Sequence, residues 1–178
     1  MGLTVADTYF LKAKGASDNY QGDWDEICES LNYALSYDEN HCASLCFLGK
    51  IYAEQFLNYE KAFECFDKVI AFDQMYLVVY SLYGKYLIWA DEIVKAQKLI
   101  LFAFTLKGID KSEMYWLSSY ALESRGQYKL SLKMLKKAQL ENYNTHHNYF
   151  LEDEVKRIKN KLKLIEKESE KKKSKKKK

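Results

Sequence analysis

Few side chains in this sequence are equipped for chemistry. There are three histidines, His41, His146 and His147, and four cysteines, Cys28, Cys42, Cys46 and Cys65. Cys42 and Cys46 stand one helical turn apart next to His41, a grouping from which a metal site can be imagined. The cysteines form neither a CxxC pair nor a disulfide framework, and free cysteine ordinarily serves as a small buried apolar residue. Reduced, structural thiols are the better reading. His146 and His147 are adjacent in a predicted loop, and the seven glycines never cluster, so "GKYLIWAD" and "GASDNYQGD" are not phosphate loops. A hydrolase or transferase needs a nucleophile with its base, paired carboxylates, a metal cluster or a phosphate-cradling loop. None is found, so the sequence reads as non-enzymatic, with no metal and no cofactor.

What remains is binding, which depends on the elements that hold the side chains. A chain of 178 residues is long enough for one sizeable domain. Apolar residues make up 48% and charged residues 30%, the composition of a folded, water-facing protein. Proline is absent altogether, which favours uninterrupted helices over a turn-rich β fold. The start, "MGLTVADTYFLKAKG", lacks the basic opening and apolar core of a signal peptide, and the most apolar window, Tyr76 to Ala90, is broken by Lys85. A cytoplasmic location is the expectation.

Small and large apolar residues recur in phase. Ala34, Val69, Ala103 and Ala138 lie 35, 34 and 35 residues apart. Three further sets take the same steps: Trp24, Tyr59, Ile93 and Tyr128; Leu31, Phe66, Ile100 and Leu135; Ile27, Ala62, Ala96 and Ser131. Upstream of each stands a small residue: Gly15, Gly49, Gly84 and Ser119. Such phasing predicts a stack of helix pairs, each too small to bury its own apolar face, with small residues wherever two helices approach closely. Ala53 and Ala90 fall outside these registers and are expected to be peripheral. Short polar breaks such as "QGDWDE", in which Asp23 and Glu26 have capping-box character, separate the helices of a pair.

Residues 42 to 75, with Leu45, Leu48, Gly49, Tyr52, Tyr59, Ala62, Phe66 and Val69, carry a Leu-Gly-x-x-Tyr and Tyr-x-x-Ala-x-x-x-Phe grammar that resembles the tetratricopeptide repeat, TPR. The resemblance covers residues 3–143 in units of about 8–41, 42–75, 77–110 and 112–144. In the first unit it rests on Gly22, Trp24, Leu31 and Ala34, with Lys14 and Asp18 at positions expected to be apolar. It departs from the family where each repeat ordinarily ends in proline, since Glu39, Gln74, Gly108 and Tyr143 stand there. The fold class it implies is all-α, an α-solenoid of about four TPR helix pairs with a C-terminal capping helix.

That helix is read over residues 148–168. Leu151, Val155, Ile158, Leu162 and Ile165 step by four, three, four and three, giving one apolar stripe on a charged helix. A cap over the end of the stack is preferred to a dimerising coiled coil, which wants three or four heptads, though a homodimer stays open. Residues 169–178, within "EKKKSKKKK", are read as a lysine-rich disordered tail. Residues 155–178 hold 13 Lys or Arg against 3 Glu, so the overall net charge of +3 conceals a basic end and an acidic body. An alternative function follows from it: association with nucleic acid or an anionic membrane through the tail.

The resemblance also implies a site. TPR domains bind in a concave groove lined by the first helix of each pair. The inward positions correspond here to Ala43, Cys46 and Lys50, then Val78, Ser81, Lys85 and Ile88, then Glu113, Trp116, Tyr120 and Glu123, with Phe47, Leu82, Trp89 and Leu117 beside them. The places matching the carboxylate clamp of chaperone-binding TPR domains hold Ala16, Phe47, Val78 and Leu82, so that clamp is absent. The implied partner is another protein, offering an apolar or amphipathic segment to Phe47, Leu82, Trp89, Trp116 and Tyr120, with two isolated lysines, Lys50 and Lys85, at the edge. Trp89 and Trp116 could equally be core. The chain is similar in length and repeat number to the small TPR chaperones of bacterial secretion systems, so scaffold, adaptor and secretion-type chaperone are the roles implied.

Overall fold

The phased apolar residues fold as helices because nothing in the intervening sequence forbids it and each helix then presents one stripe to its neighbour. The computed structural model describes residues 2–18 and 23–175. Among these there are nine α-helices and no strand: α1 (Val5–Ser17), α2 (Trp24–Tyr37), α3 (Cys42–Glu54), α4 (Tyr59–Phe72), α5 (Val78–Trp89), α6 (Ile93–Ala103), α7 (Lys111–Ser124), α8 (Tyr128–Glu141) and α9 (Thr145–Lys175). The first helix begins three residues before the boundary expected at residue 8. Gly22, used to read the first unit, lies outside the described residues. No described helix is long and apolar enough to cross a membrane.

The chain divides into two compact units, residues 1–86 and 87–178, the boundary falling within α5. In the first, α1 packs on α2, α2 on α3 and α3 on α4. Its core holds Ala13, Ile27, Leu31, Leu48, Ile51 and Cys65. In the second, α6 packs on α7, α7 on α8 and α8 on α9, and Leu135, Ala138, Leu151 and Ile158 make a core.

Three of the registers are buried throughout. The sets beginning at Ile27, Leu31 and Ala34 are each 2% exposed or less at every member. The set beginning at Trp24 lies further out, Trp24 itself being 37% exposed. Small residues do different work in different units. A Cβ on Gly49 would come within 2.7 Å of the Phe66 ring and 3.2 Å of the Ala62 carbonyl oxygen, so here glycine is required by close helix approach. On Gly15 it would meet no described atom within 4 Å, and the expected contact is missing. In the fourth pair the small residues are Ser119 and Ser131, whose buried hydroxyls bond at 2.8 Å. Ala53, expected to be peripheral, is fully buried.

Turns take over from the missing prolines. Asp38 Oδ1 accepts from the Asn40 N–H, Asp73 Oδ1 from Met75 and Asn142 Oδ1 from Asn144, each two residues on, while Gly108 turns the chain with φ +87°. Within pairs, a left-handed residue stops the first helix: Leu57 (φ 50°), Asp91 (φ 61°) and Gly126 (φ 71°). Helix starts are capped by Thr4 and Asp7 in a reciprocal box, by Asn58 and by Asp110. Asp23 caps α2 through the Asp25 N–H alone, without the reciprocal bond expected of Glu26. The last helix starts at Thr145 and stays helical to Lys175, seven residues into the stretch read as a disordered tail, because lysine and glutamate are good helix formers and no glycine or proline interrupts them. Residues 176–178 lie outside the described residues.

Candidate functional site

In the first unit, α1, α3 and α5 bring their side chains to one cleft of about 260 Å³. Phe10 comes from α1, Ala43, Cys46 and Phe47 from α3, and Val78 and Leu82 from α5, with Lys14, Lys50 and Asp18 around them. The Phe10 and Phe47 rings meet edge to face at 6.3 Å. Val78 is 56% exposed, so apolar surface is offered to the cleft without being covered. Burial pushes the Cys46 thiol up to about 12 and the Cys65 thiol up to about 11, so both are neutral apolar groups at ordinary pH. Among the described residues no three of His, Cys, Asp and Glu group so as to hold a metal.

Sequence pattern alone left Lys50 and Lys85 isolated. Both reach Glu54: Lys85 Nζ lies 3.1 Å from Oε1 and Lys50 Nζ 3.9 Å from Oε2, and the Tyr86 hydroxyl donates to the same carboxylate at 2.7 Å. Burial raises the Glu54 carboxyl, but the hydrogen bonds from Tyr86 and Lys85 and the two lysine charges outweigh it, holding the group below its ordinary value. The lysines are therefore two arms on one half-buried anion, and the trio keeps one net positive charge. Glu54 was missed because it falls outside the inward registers.

The aromatic residues read into the groove from the second unit meet a different neighbour. Trp116 stacks on Tyr120 at 6.1 Å and takes the edge of Phe150, on α9, at 5.5 Å. It also packs against the core of Leu135, Leu151 and Ile158. Seven residues further along α7, Glu123 receives Arg157 Nη2 and Lys161 Nζ, both from α9, at 2.6 Å. Burial raises the Glu123 carboxyl, and the Arg157 and Lys161 hydrogen bonds and charges more than reverse this, leaving it lowered. Trp116 and Glu123 thus form the seat of α9, with Tyr120 stacked beside Trp116. Trp89, at the end of α5, is 43% exposed.

One grouping has the residue types of a hydrolase triad. His41 Nδ1 lies 2.7 Å from Ser44 Oγ and Nε2 lies 3.1 Å from Asp7 Oδ1. Ser44 is fully buried, so its hydroxyl faces no substrate, and the three residues instead tie the start of α3 to α1. Hydrogen bonds from the Thr4 backbone and hydroxyl, then from His41, hold the Asp7 carboxyl below its usual range. The signal that finds such pairs is the repeat length itself: Asp7 and His41 are 34 residues apart, as are Glu123 and Arg157.

The helix arrangement is shared with solved structures. The structure from the functional characterisation of PilF from Pseudomonas aeruginosa superposes with a TM-score of 0.71 at 17% identity, covering 89% of this chain and 69% of that one. A MamA crystal structure gives 0.62 at 20% identity, covering 96% and 99%. The chain has a TPR-like fold. It is an all-α solenoid. No protein-family model matches the sequence, and no curated protein matches it. At these identities the likeness is one of fold.

Proposed function

We propose that the protein is a non-catalytic scaffold, adaptor or secretion-type chaperone that holds an apolar or amphipathic segment of another protein in the cleft between α1, α3 and α5. The observation that supports this reading is the apolar lining, exposed Val78 with half-buried Phe47 and Leu82, beside Lys50 and Lys14, a combination suited to an apolar stripe flanked by acidic residues. Lys50 and Lys85 tune the edge of this cleft through Glu54. The four cysteines are free thiols, which suits the reducing cytoplasm proposed for it.

The test places a photo-crosslinking side chain at Val78 in the native cell and, as control, at exposed Leu101 of the second unit. A partner captured at Val78 and not at Leu101 is then titrated against Val78→Asp. Because Val78 is the first residue of α5, aspartate there leaves the helix intact. Affinity is expected to fall about fivefold or more with the melting temperature unchanged. Undiminished affinity for that partner refutes the groove.

A further inference from the structure

Every first helix before α9 stops after 12 to 14 residues. The last one starts in the same way: Phe150, Leu151 and Arg157 follow Trp116, Leu117 and Glu123 by one repeat length. Where Leu57, Asp91 and Gly126 end the earlier helices, the corresponding residue is Asn160, and the chain stays helical. Lys161 ties this helix to Glu123 of α7. Past it Leu164 is 62% and Ile165 45% exposed. About 14 further residues run on as helix, a reach of roughly 21 Å.

This extension is basic as well as apolar. Residues 159–178 contain 11 Lys and 3 Glu, and Lys159, Lys163 and Lys167 recur every four residues along one side, with Ile165 on the other and Leu164 between them. We infer that this basic extension, from residue 159 onward, binds the surface of an anionic lipid bilayer, with Leu164 and Ile165 entering the headgroup boundary and the lysines meeting acidic headgroups. The opposite charge of such a surface answers the eight excess positive charges. A second copy does not, because it brings the same eight, and because Leu151 and Ile158 are already spent on α8, leaving too little stripe for a coiled coil. Nucleic acid answers the charge but leaves Leu164 and Ile165 in water, and residues 159–178 hold no aromatic side chain to stack on a base.

The full chain is tested by flotation with vesicles of phosphatidylcholine alone and with 30 mol% phosphatidylglycerol, an amount on the order of that in an anionic leaflet. Binding is expected only to the anionic vesicles, falling about fivefold or more both for Leu164→Ser with Ile165→Ser and for Lys163→Gln with Lys167→Gln, the melting temperature staying constant. The Val78→Asp protein should bind vesicles like the unaltered one, so this result and that of the groove are read separately. No binding to anionic vesicles overturns the inference, as does binding indifferent to the Leu164 and Ile165 change. Tighter binding to duplex DNA that ignores the same change assigns the extension to nucleic acid instead. Sedimentation as a dimer that dissociates on changing Leu164 and Ile165 assigns it to a second copy.

Discussion

Gly49 and Gly15 occupy the same register and face opposite consequences of a methyl group. At Gly49 the Cβ would enter the Phe66 ring, and that ring is held by Tyr86, stacked at 5.9 Å, and by Tyr83 at 5.3 Å. Gly49→Ala is therefore expected to cost about 1–3 kcal/mol through overpacking. Gly15→Ala meets no described atom and removes backbone freedom from a helix, so it should stabilise by about 0.5–1 kcal/mol. Urea denaturation of both variants checks the pair, and equal effects in one direction would refute the distinction. The register was legible because one period runs through four units, and period alone cannot say which member is crowded. That depends on the partner's bulk, here an aromatic ring against Gly49 and a serine hydroxyl against Ser119. Likewise the sequence offered Trp116 as a groove residue because its register points inward, while Phe150 that covers it belongs to a helix outside the four counted units.

At the scale of elements, helices were readable and turns were not. Helix stripes come from side-chain volume, which recurs by type. Turns come from backbone geometry, which several residues can satisfy: Asp38, Asp73 and Asn142 through side-chain bonds, Gly108 through its φ. Leu57 is the exception that satisfies nothing cheaply, since it holds φ 50° with a branched side chain that is 69% exposed. Leu57→Gly should raise stability by about 0.5–1 kcal/mol, read as an increased denaturation midpoint at unchanged m-value, and a loss would show that the left-handed stop is not strained. The seat of α9 makes a prediction in pH. A carboxyl lowered in the folded state contributes stability that is present above its ordinary value of 4.5 and lost as pH falls through its folded value. Glu123→Gln should thus be less stable than the unaltered chain by about 1–2 kcal/mol at pH 7, Arg157 and Lys161 being half in water, and the gap should close below pH of about 4.5. A gap independent of pH between 7 and 3 would assign the loss to packing and not to charge.

For the whole molecule, charge and capping divide along the same line. Residues 1–86 carry 6 Lys and 13 Asp or Glu, net −7, and residues 87–178 carry 22 Lys or Arg and 12 Asp or Glu, net +10. The last helix explains how the repeats end. Where the second, third and fourth first-helices have Gly49, Gly84 and Ser119, it has Asp153, and where they have Tyr52, Leu87 and Leu122, it has Lys156. Asp153 and Lys156 are exposed and paired with each other at 3.0 Å, so the face that would receive another second helix is polar and the stack stops. The opposite face, Leu151 and Ile158, is fully buried against the α8 core. Ending the chain after Asn144 should then leave Leu135, Ala138 and Trp116 uncovered and remove two wholly buried side chains, each worth about 1.5–3 kcal/mol. A fall in melting temperature of about 10 °C or more is expected for a domain of this size. Ending it after Glu168 removes the lysine-rich residues but none of these contacts, so melting should change by no more than about 2 °C. Calorimetry on the two shortened chains decides whether α9 is the cap. Equal melting of both with the full chain would mean that the α8 face is stable in water, and the reading of Leu151 and Ile158 as the cap's apolar face would fail.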